Sequence, residues 1–325
     1  MKAIVAATPG PPDVLTMVDR PVPEPRTGWA LIRVKAFGIN RSEMYTRQGH
    51  SPGVQFPRVL GIECVGVVEA APGTGLVVGQ TVAAAMGEMG RAYDGGYAEY
   101  TLVPASQVYP VRTTLPWDVL GAIPETFLTA WGALFESLGV VAGQTLLIRG
   151  GASALGMAAT TLAKVHGLTV AVTTRSAAKR ERLLQHGADA VLIDTGELGA
   201  AVRAALPDGV DALLELVGTN TLLDSLRLVK LRGTVCYAGI LGDAWTMERF
   251  EPFMIPSTVR LTTYSSETLT TATATPALQV IVDGVESGRY PVAIDRVFHL
   301  DETAEAHRSM ESNQATGKLV VLTGA

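Results

Sequence analysis

Cysteine is nearly missing: the 325 residues contain two, Cys64 and Cys236. Two isolated thiols cannot build a disulfide framework or a four-cysteine zinc site. Both fall in apolar, strand-like runs, so buried free thiols are expected. Charged residues reach only 18%, aromatics only 6%, and no basic block appears. With a net charge of −5, nucleic acid is not an expected partner. No apolar run reaches membrane-spanning length. The opening Met1-Lys2-Ala3-Ile4-Val5 reads as a strand, with no secretory leader visible. The expectation is a cytoplasmic protein with a small-molecule substrate and no membrane or nucleic-acid partner.

The chain does have length and apolar content. At 325 residues and 47% hydrophobic it fits two domains, each able to bury a core. The first third is broken by Pro9-Gly10-Pro11-Pro12 and Pro21-Val22-Pro23-Glu24-Pro25, and its strand candidates are short: 29–37, 65–70, 80–85 and 95–103. From Trp117 the pattern changes. Strand candidates at 145–149, 168–173, 190–193, 211–216, 233–238 and 258–264 alternate with helix candidates at 117–138, 153–166, 176–186, 197–205 and 219–230. Right-handed crossovers would wind these into a parallel sheet. A helix near 275–287, a strand at 292–299, a helix near 301–311 and a strand at 317–322 close the chain. The threonine–alanine stretch 268–275 reads as a loop or helix entry. The division expected is a β-rich domain of 1–118 and 265–325, discontinuous in sequence, around a domain of 119–264.

The densest signal is Gly150-Gly151-Ala152-Ser153-Ala154-Leu155-Gly156, between the apolar run 145–148 and the helix candidate. Strand, small-residue turn, helix and second strand are the parts of a dinucleotide-binding unit. The turn brings backbone close to a pyrophosphate, and the helix start offers free N–H groups. Ser153 stands where the middle glycine of GxGxxG would be. The second strand ends in Thr173-Thr174-Arg175-Ser176, with Lys179 one turn on, where NAD-binding folds usually carry a carboxylate. Cations and hydroxyls there suit a 2′-phosphate, so NADPH is expected over NAD. The alternative is that Arg175 and Lys179 merely start a solvated helix.

The whole chain resembles the medium-chain dehydrogenase/reductase superfamily. The resemblance rests on Gly38 to Gly49, Gly61-Ile62-Glu63, Pro124 to Trp131, the 150–156 turn and Gly317-Lys318-Leu319-Val320. It implies an α/β fold, with a GroES-like β-rich catalytic domain plus a doubly wound Rossmann-type cofactor domain. In the zinc alcohol dehydrogenases of that superfamily, cysteine, histidine and cysteine hold a catalytic zinc at positions matched here by Asn40, Ile62 and Glu125. Asn and Ile cannot replace a thiolate and an imidazole, and the 86–95 stretch lacks the cysteines of the structural zinc lobe, so no metal is expected. The first block is most similar to the zinc-free quinone oxidoreductase (zeta-crystallin-like) branch. That branch implies hydride transfer from NADPH to a quinone or an α,β-unsaturated carbonyl. An enoyl-thioester or polyketide-pathway ene reductase and a non-catalytic, crystallin-like NADPH binder stand as alternatives.

The resemblance also implies site residues. The nicotinamide is expected beside Asn40, Tyr45 and Thr129. Tyr45 either bonds or protonates the acceptor, or only lines the site. Asn40 either contacts nicotinamide or acceptor carbonyl, or holds the 40–42 bend. Gly151, Ser153, Ala154, Leu155 and Gly156 would carry the pyrophosphate, and Thr174, Arg175, Ser176 and Lys179 the 2′-phosphate. Val217, Gly239, Ile240 and Leu241 would meet the carboxamide. Lys318 either approaches the 2′-phosphate or ends a strand in solvent. Glu125 either bonds backbone or ribose or caps its helix. Arg47 and Gln48 either edge the substrate entrance or sit in a solvated loop. The five histidines show no ligand spacing, and His166 and His186 read as helix C-terminal residues. A homodimer formed through an edge strand at 259–264 completes the expectation.

Overall fold

The computed structural model describes residues 1–324. They divide into two compact units. The first holds Met1–Leu128, Ser266–Gly288 and the residues from Ile294 on; the second holds Thr129–Ser265 and Arg289–Ala293. The border falls at Leu128/Thr129 rather than 118/119, and Arg289–Ala293 joins the second unit.

The first unit is β-rich. Its main sheet runs Ile294–His299, Lys318–Leu322, Trp29–Gly38, Glu63–Ala70, Thr81–Ala85, Val108–Pro110, with Tyr100–Pro104 also paired to Trp29–Gly38. A small sheet joins Leu15–Asp19, Lys2–Ala6 and Arg58–Val59. Between them lie buried Ile4, Phe37, Leu60, Tyr97 and Val321. The C-terminal strand closes this unit: Val320 lies opposite Gly38. That pairing brings Lys318 beside the end of the 29–38 strand. The expected 95–103 strand begins only at Tyr100. Gly95 and Gly96 instead press against backbone, where a Cβ would stand 2.2 Å from the Gly61 carbonyl oxygen and 2.4 Å from that of Glu63.

The second unit is a six-stranded, all-parallel sheet in the order Ala190–Ile193, Thr169–Thr174, Thr145–Arg149, Val210–Glu215, Val229–Tyr237, Arg260–Thr263. In chain order this is 3-2-1-4-5-6, the doubly wound order whose ligand crevice opens at the carboxyl ends of the first and fourth strands. Leu147, Leu213 and Val235 sit in its core. The expected 117–138 helix is three pieces: Trp117–Gly121, Pro124–Trp131 and a π-turn at Gly132–Ser137. Pro124 brings no N–H and disfavours helix at the residue before it. At Gly132 a Cβ would stand 1.9 Å from the Tyr264 ring, so the ring fills the space of a side chain. The expected 219–230 helix stops at Leu226, because Val229 already pairs in parallel with Val210 across a register shift. The helix expected near 275 starts at Thr271, where Thr270 and Thr273 form a reciprocal cap.

Candidate active site

In the second unit the expected cofactor residues converge at the carboxyl end of the sheet. Gly150 has φ +92°, the left-handed region, and turns the chain off the Thr145–Arg149 strand. Thr173 holds the turn: its hydroxyl accepts from Gly150 N at 3.0 Å and its carbonyl from Gly151 N at 3.0 Å. Ser153 is the N-cap of the Ala154–Val165 helix, and its Oγ accepts from Gly156 N at 3.0 Å. Among the first helical amides, those of Ala154 and Leu155 remain as donors for a ligand. At Gly156 a Cβ would stand 2.6 Å from Gly151 Cα, so glycine lets the helix start sit on the turn. Across the crevice, Leu241 N donates to Leu216 O at 3.0 Å and Gly242 N to Val217 O at 2.6 Å. A Cβ on Gly150 would stand 2.8 Å from Leu241 Cδ1 and 3.6 Å from Val217 Cγ2. The 150–156, 217–218 and 239–242 loops therefore form one cradle, which fits a dinucleotide. Thr129 is buried within Pro124–Trp131.

At the end of the second strand Thr174 is buried, and its hydroxyl shapes the turn by accepting from Ser176 N at 3.1 Å. Arg175 is exposed, while Ser176 and Lys179 are half-buried. The neighbouring strand Ala190–Ile193 is followed by Asp194, which does not face this cationic edge unpaired. It makes a bidentate pair with Arg149, at 2.8 and 3.0 Å.

Arg149 was not singled out by sequence pattern, yet it is the hub beneath the cradle. The residue is fully buried. Besides Asp194, its guanidinium donates to Asp224 at 2.7 Å, to Ser225 Oγ at 3.0 Å, and to the carbonyls of Gly196 at 2.9 Å and Thr221 at 3.2 Å. Ser225 donates on to Glu215, whose other oxygen accepts from Val217 N at 2.7 Å and Gly218 N at 3.3 Å. Burial raises the pKa of Glu215. A basic residue immediately before the glycine turn, within an apolar strand, is the one signal that could have flagged it.

In the first unit, Asn40 precedes the Arg41–Arg47 helix as its N-cap, but its side chain makes no cap bond. Asn40 Nδ2 donates to Glu63 Oε1 at 2.9 Å and, more weakly, to Glu43 Oε1 at 3.3 Å. Its Oδ1 accepts from Lys318 Nζ. Glu63 is fully buried; its Oε1 pairs with Lys318 Nζ at 2.8 Å and its Oε2 accepts from Glu125 N at 2.8 Å. Gly38 leaves room for this pair, since a Cβ there would stand 2.1 Å from Lys318 Cε and 2.5 Å from Glu63 Oε1. The expectations for Lys318 are corrected: it neither ends in solvent nor offers a free ammonium to a phosphate, being 2% exposed and committed to Glu63 and Asn40. The Glu125 carboxyl accepts from Ser266 Oγ at 2.8 Å.

Tyr45 is buried on the same short helix, with its ring 6.4 Å from that of His50. Both readings of Arg47 are corrected as well. Fully buried, it pairs with Glu311 at 2.7 Å, donates to Gly10 O at 3.0 Å, and meets His307 Nδ1 at 3.4 Å. Burial, aided by the Arg47 charge, pushes His307 down to about 3 and keeps it neutral. His166 and His186 are the C-caps expected. Both cysteines are free and buried; burial raises the Cys64 thiol strongly and pushes Cys236 up to about 12, so neither is a nucleophile.

Residues 26–113 match the alcohol dehydrogenase GroES-like domain, and residues 186–321 match the family described as zinc-binding dehydrogenase. The quinone oxidoreductase of Pongo abelii is 30% identical over 99% of this chain and 98% of its own length. The chain belongs to the quinone oxidoreductase branch of the medium-chain dehydrogenase/reductase superfamily. Solved structures similar to this chain include a mycobacterial protein complexed with NADPH, 29% identical, with a TM-score of 0.88 over 99% of this chain and 100% of that one. Another is an NAD-dependent alcohol dehydrogenase, 27% identical, with a TM-score of 0.87 over 100% of both chains. The chain is thus an oxidoreductase with a unit built for a nicotinamide cofactor. The zinc of the family description meets an unsuitable donor set here: Asn40 and Ile62 offer neither thiolate nor imidazole. Among the described residues no group of three His, Cys, Asp or Glu is arranged to hold a metal ion.

Proposed function

We propose that the protein is a zinc-independent, NADPH-dependent reductase that delivers a hydride to a quinone or an α,β-unsaturated carbonyl. The observation that carries the cofactor choice is the exposed Arg175 at the end of the second strand, with the nearby Asp194 carboxylate tied to Arg149. A 2′-phosphate would find the Arg175 cation there, with the Asp194 charge already paired. Quinone oxidoreductase relatives over the full chain support the acceptor class.

When bound, NADPH supplies the hydride. The chain contributes binding and orientation. Ser153 and the Ala154 and Leu155 amides would take the pyrophosphate, Thr174, Arg175, Ser176 and Lys179 the 2′-phosphate, and Thr129, Val217, Gly239, Ile240 and Leu241 the nicotinamide end. Tyr45 and Asn40 are the residues assigned to the acceptor. A phenol or amide N–H on the carbonyl oxygen stabilises the negative charge that grows there as hydride arrives at carbon. An already electrophilic acceptor needs no Lewis acid. Arg260–Thr263 is the terminal strand of its sheet and is the edge assigned to pairing in a homodimer; a monomer by light scattering would remove that assignment. Two free, buried thiols fit a reducing compartment such as the cytoplasm.

The test is consumption of NADPH, with NADH in parallel, against a benzoquinone, a naphthoquinone, an enone, an enal and an enoyl thioester, with a chelator present. Turnover of quinones or simple enones is expected, with NADPH preferred. Turnover of the thioester alone would move the protein to the ene reductases, and binding without any turnover would reject the reductase reading. In Arg175→Ala/Lys179→Ala the KM for NADPH is expected to rise about 10–100-fold, the worth of one or two charge-assisted hydrogen bonds. The KM for NADH should stay within about twofold, since it has no phosphate to lose. Equal losses with both cofactors would place the 2′-phosphate elsewhere.

A further inference from the structure

The catalytic unit buries two carboxyls around a single ammonium. Glu43, Glu63 and Lys318 are 1%, 0% and 2% exposed. Lys318 Nζ lies 2.8 Å from Glu63 and donates to Asn40, so its charge is paired with Glu63. Glu43 is left over. Its Oε1 accepts from Ile62 N at 3.1 Å and weakly from Asn40 Nδ2 at 3.3 Å. Its Oε2 has no hydrogen bond at ordinary distance, and the side-chain hydroxyl that approaches Glu43 is that of Tyr97. An ionised carboxylate whose buried oxygen lacks a close donor is costly, whereas a neutral carboxyl there is tolerated.

The neighbouring Arg47 and His307 do not redress this balance. Arg47, on the same helix, is paired with Glu311. His307 is neutral and bonds the Tyr97 hydroxyl at 3.0 Å. Burial foremost, with the neighbouring Glu43 and Glu63 carboxyls and a hydrogen bond to Glu43 adding to it, keeps the Tyr97 phenol protonated, so Tyr97 presents a hydroxyl and no charge. Burial, with the Glu63 charge adding to it, raises Glu43 to about 7, against the opposing Ile62 amide and Lys318.

Asn40 has two amide hydrogens. One is held by Glu63 at 2.9 Å; the other is shared with Glu43 at 3.3 Å. We propose that Glu43 is a positioning residue that acts through Asn40: neutral, it releases the second Asn40 hydrogen to an acceptor carbonyl, and ionised, it holds that hydrogen back. This rests on the assignment of Asn40 to the acceptor. A neutral carboxyl is the weaker acceptor for an amide N–H, because a charged partner roughly doubles a hydrogen bond's strength. The reductase is thereby more active with Glu43 protonated, and alkaline conditions switch the assistance off. No proton leaves Glu43 in the reaction itself.

The experiment compares the pH dependence of kcat/KM for quinone reduction in the full-length protein and in Glu43→Gln, which stays neutral at every pH. In the native protein kcat/KM is expected to fall about tenfold across neutrality towards alkali, the worth of one hydrogen bond in the transition state. In Glu43→Gln that inflection should vanish. An unchanged inflection in the variant, or no inflection in the native protein, would overturn the proposal. A purely structural role for Glu43 would lower activity or melting temperature equally at all pH values and would leave the inflection in place. Infrared titration of the native protein alone gives a second readout. The band of a protonated buried carboxyl should disappear as pH rises through neutrality, and its absence below neutrality would equally overturn the proposal. If neither protein turns over any acceptor, the reductase reading fails, and the coupling through Asn40 falls with it. The infrared titration then still decides whether Glu43 holds the proton, so the two failures are distinguishable.

Discussion

Arg149→Met is expected to cost the folded protein about 3–5 kcal/mol, because it removes a fully buried cation from the half-buried Asp194 and Asp224 carboxylates and from beside the buried Glu215. Methionine matches the length of the arginine stem, so packing is largely kept and charge is what changes. Asp194 loses both arms of a bidentate pair, and Asp224 loses a partner at 2.7 Å. The effect should reach the cofactor. Arg149 immediately precedes Gly150, and its network runs through Ser225 and Glu215 to the amides of Val217 and Gly218. Weakened NADPH binding is therefore expected together with a lowered melting temperature. Thermal unfolding and a binding isotherm check this. A variant with native melting temperature and native affinity would show that the network is dispensable.

The second large effect is expected at Lys318→Met. Glu63, fully buried, would keep donors from Asn40 and Glu125 N but lose the Lys318 ammonium. The expected cost is again about 3–5 kcal/mol. Two features separate this from simple cavity formation. The double variant Lys318→Met/Glu63→Gln should recover most of the loss, because no unpaired charge remains. Nicotinamide-cofactor affinity should change little, since Lys318 belongs to the other unit and its ammonium is committed there. A large and selective loss of NADPH over NADH in Lys318→Met would instead restore the phosphate role.

These two residues also show where reading the chain one segment at a time stops. Lys318 was visible as part of Gly317-Lys318-Leu319-Val320, but its partners lie far away in sequence, at Asn40 and Glu63. Only the antiparallel pairing of Lys318–Leu322 with Trp29–Gly38, and of that strand with Glu63–Ala70, puts them together. Arg47 looked like a loop cation because its neighbours Gln48, Gly49 and His50 are polar or small. Its guanidinium is nevertheless buried against His307 and Glu311, which approach from a helix at the far end of the chain. Glu43 drew no notice, because a lone carboxylate in a short helix carries no spacing signal.

Local physics was sufficient for the parts that repeat or turn sharply. The alternation of apolar strands with amphipathic segments marked the parallel sheet, because right-handed crossovers leave few other ways to bury both faces. The strands Thr145–Arg149 and Ala190–Ile193 fall where periodicity put them. The glycine turn was legible because backbone approach and positive φ demand glycine at particular positions, and Ser153 because a helix start demands a cap. Helix ends were less legible. Pairing of Val229 with Val210 and the Tyr264 ring on Gly132 shorten or distort what propensity would continue. The amino-acid sequence by itself thus determined the class, the sheet and the cofactor turn, whose causes are near neighbours in the chain. The tertiary structure alone decided which charges are buried and what they face, because desolvation and Coulomb energies depend on distances that only the packed fold sets.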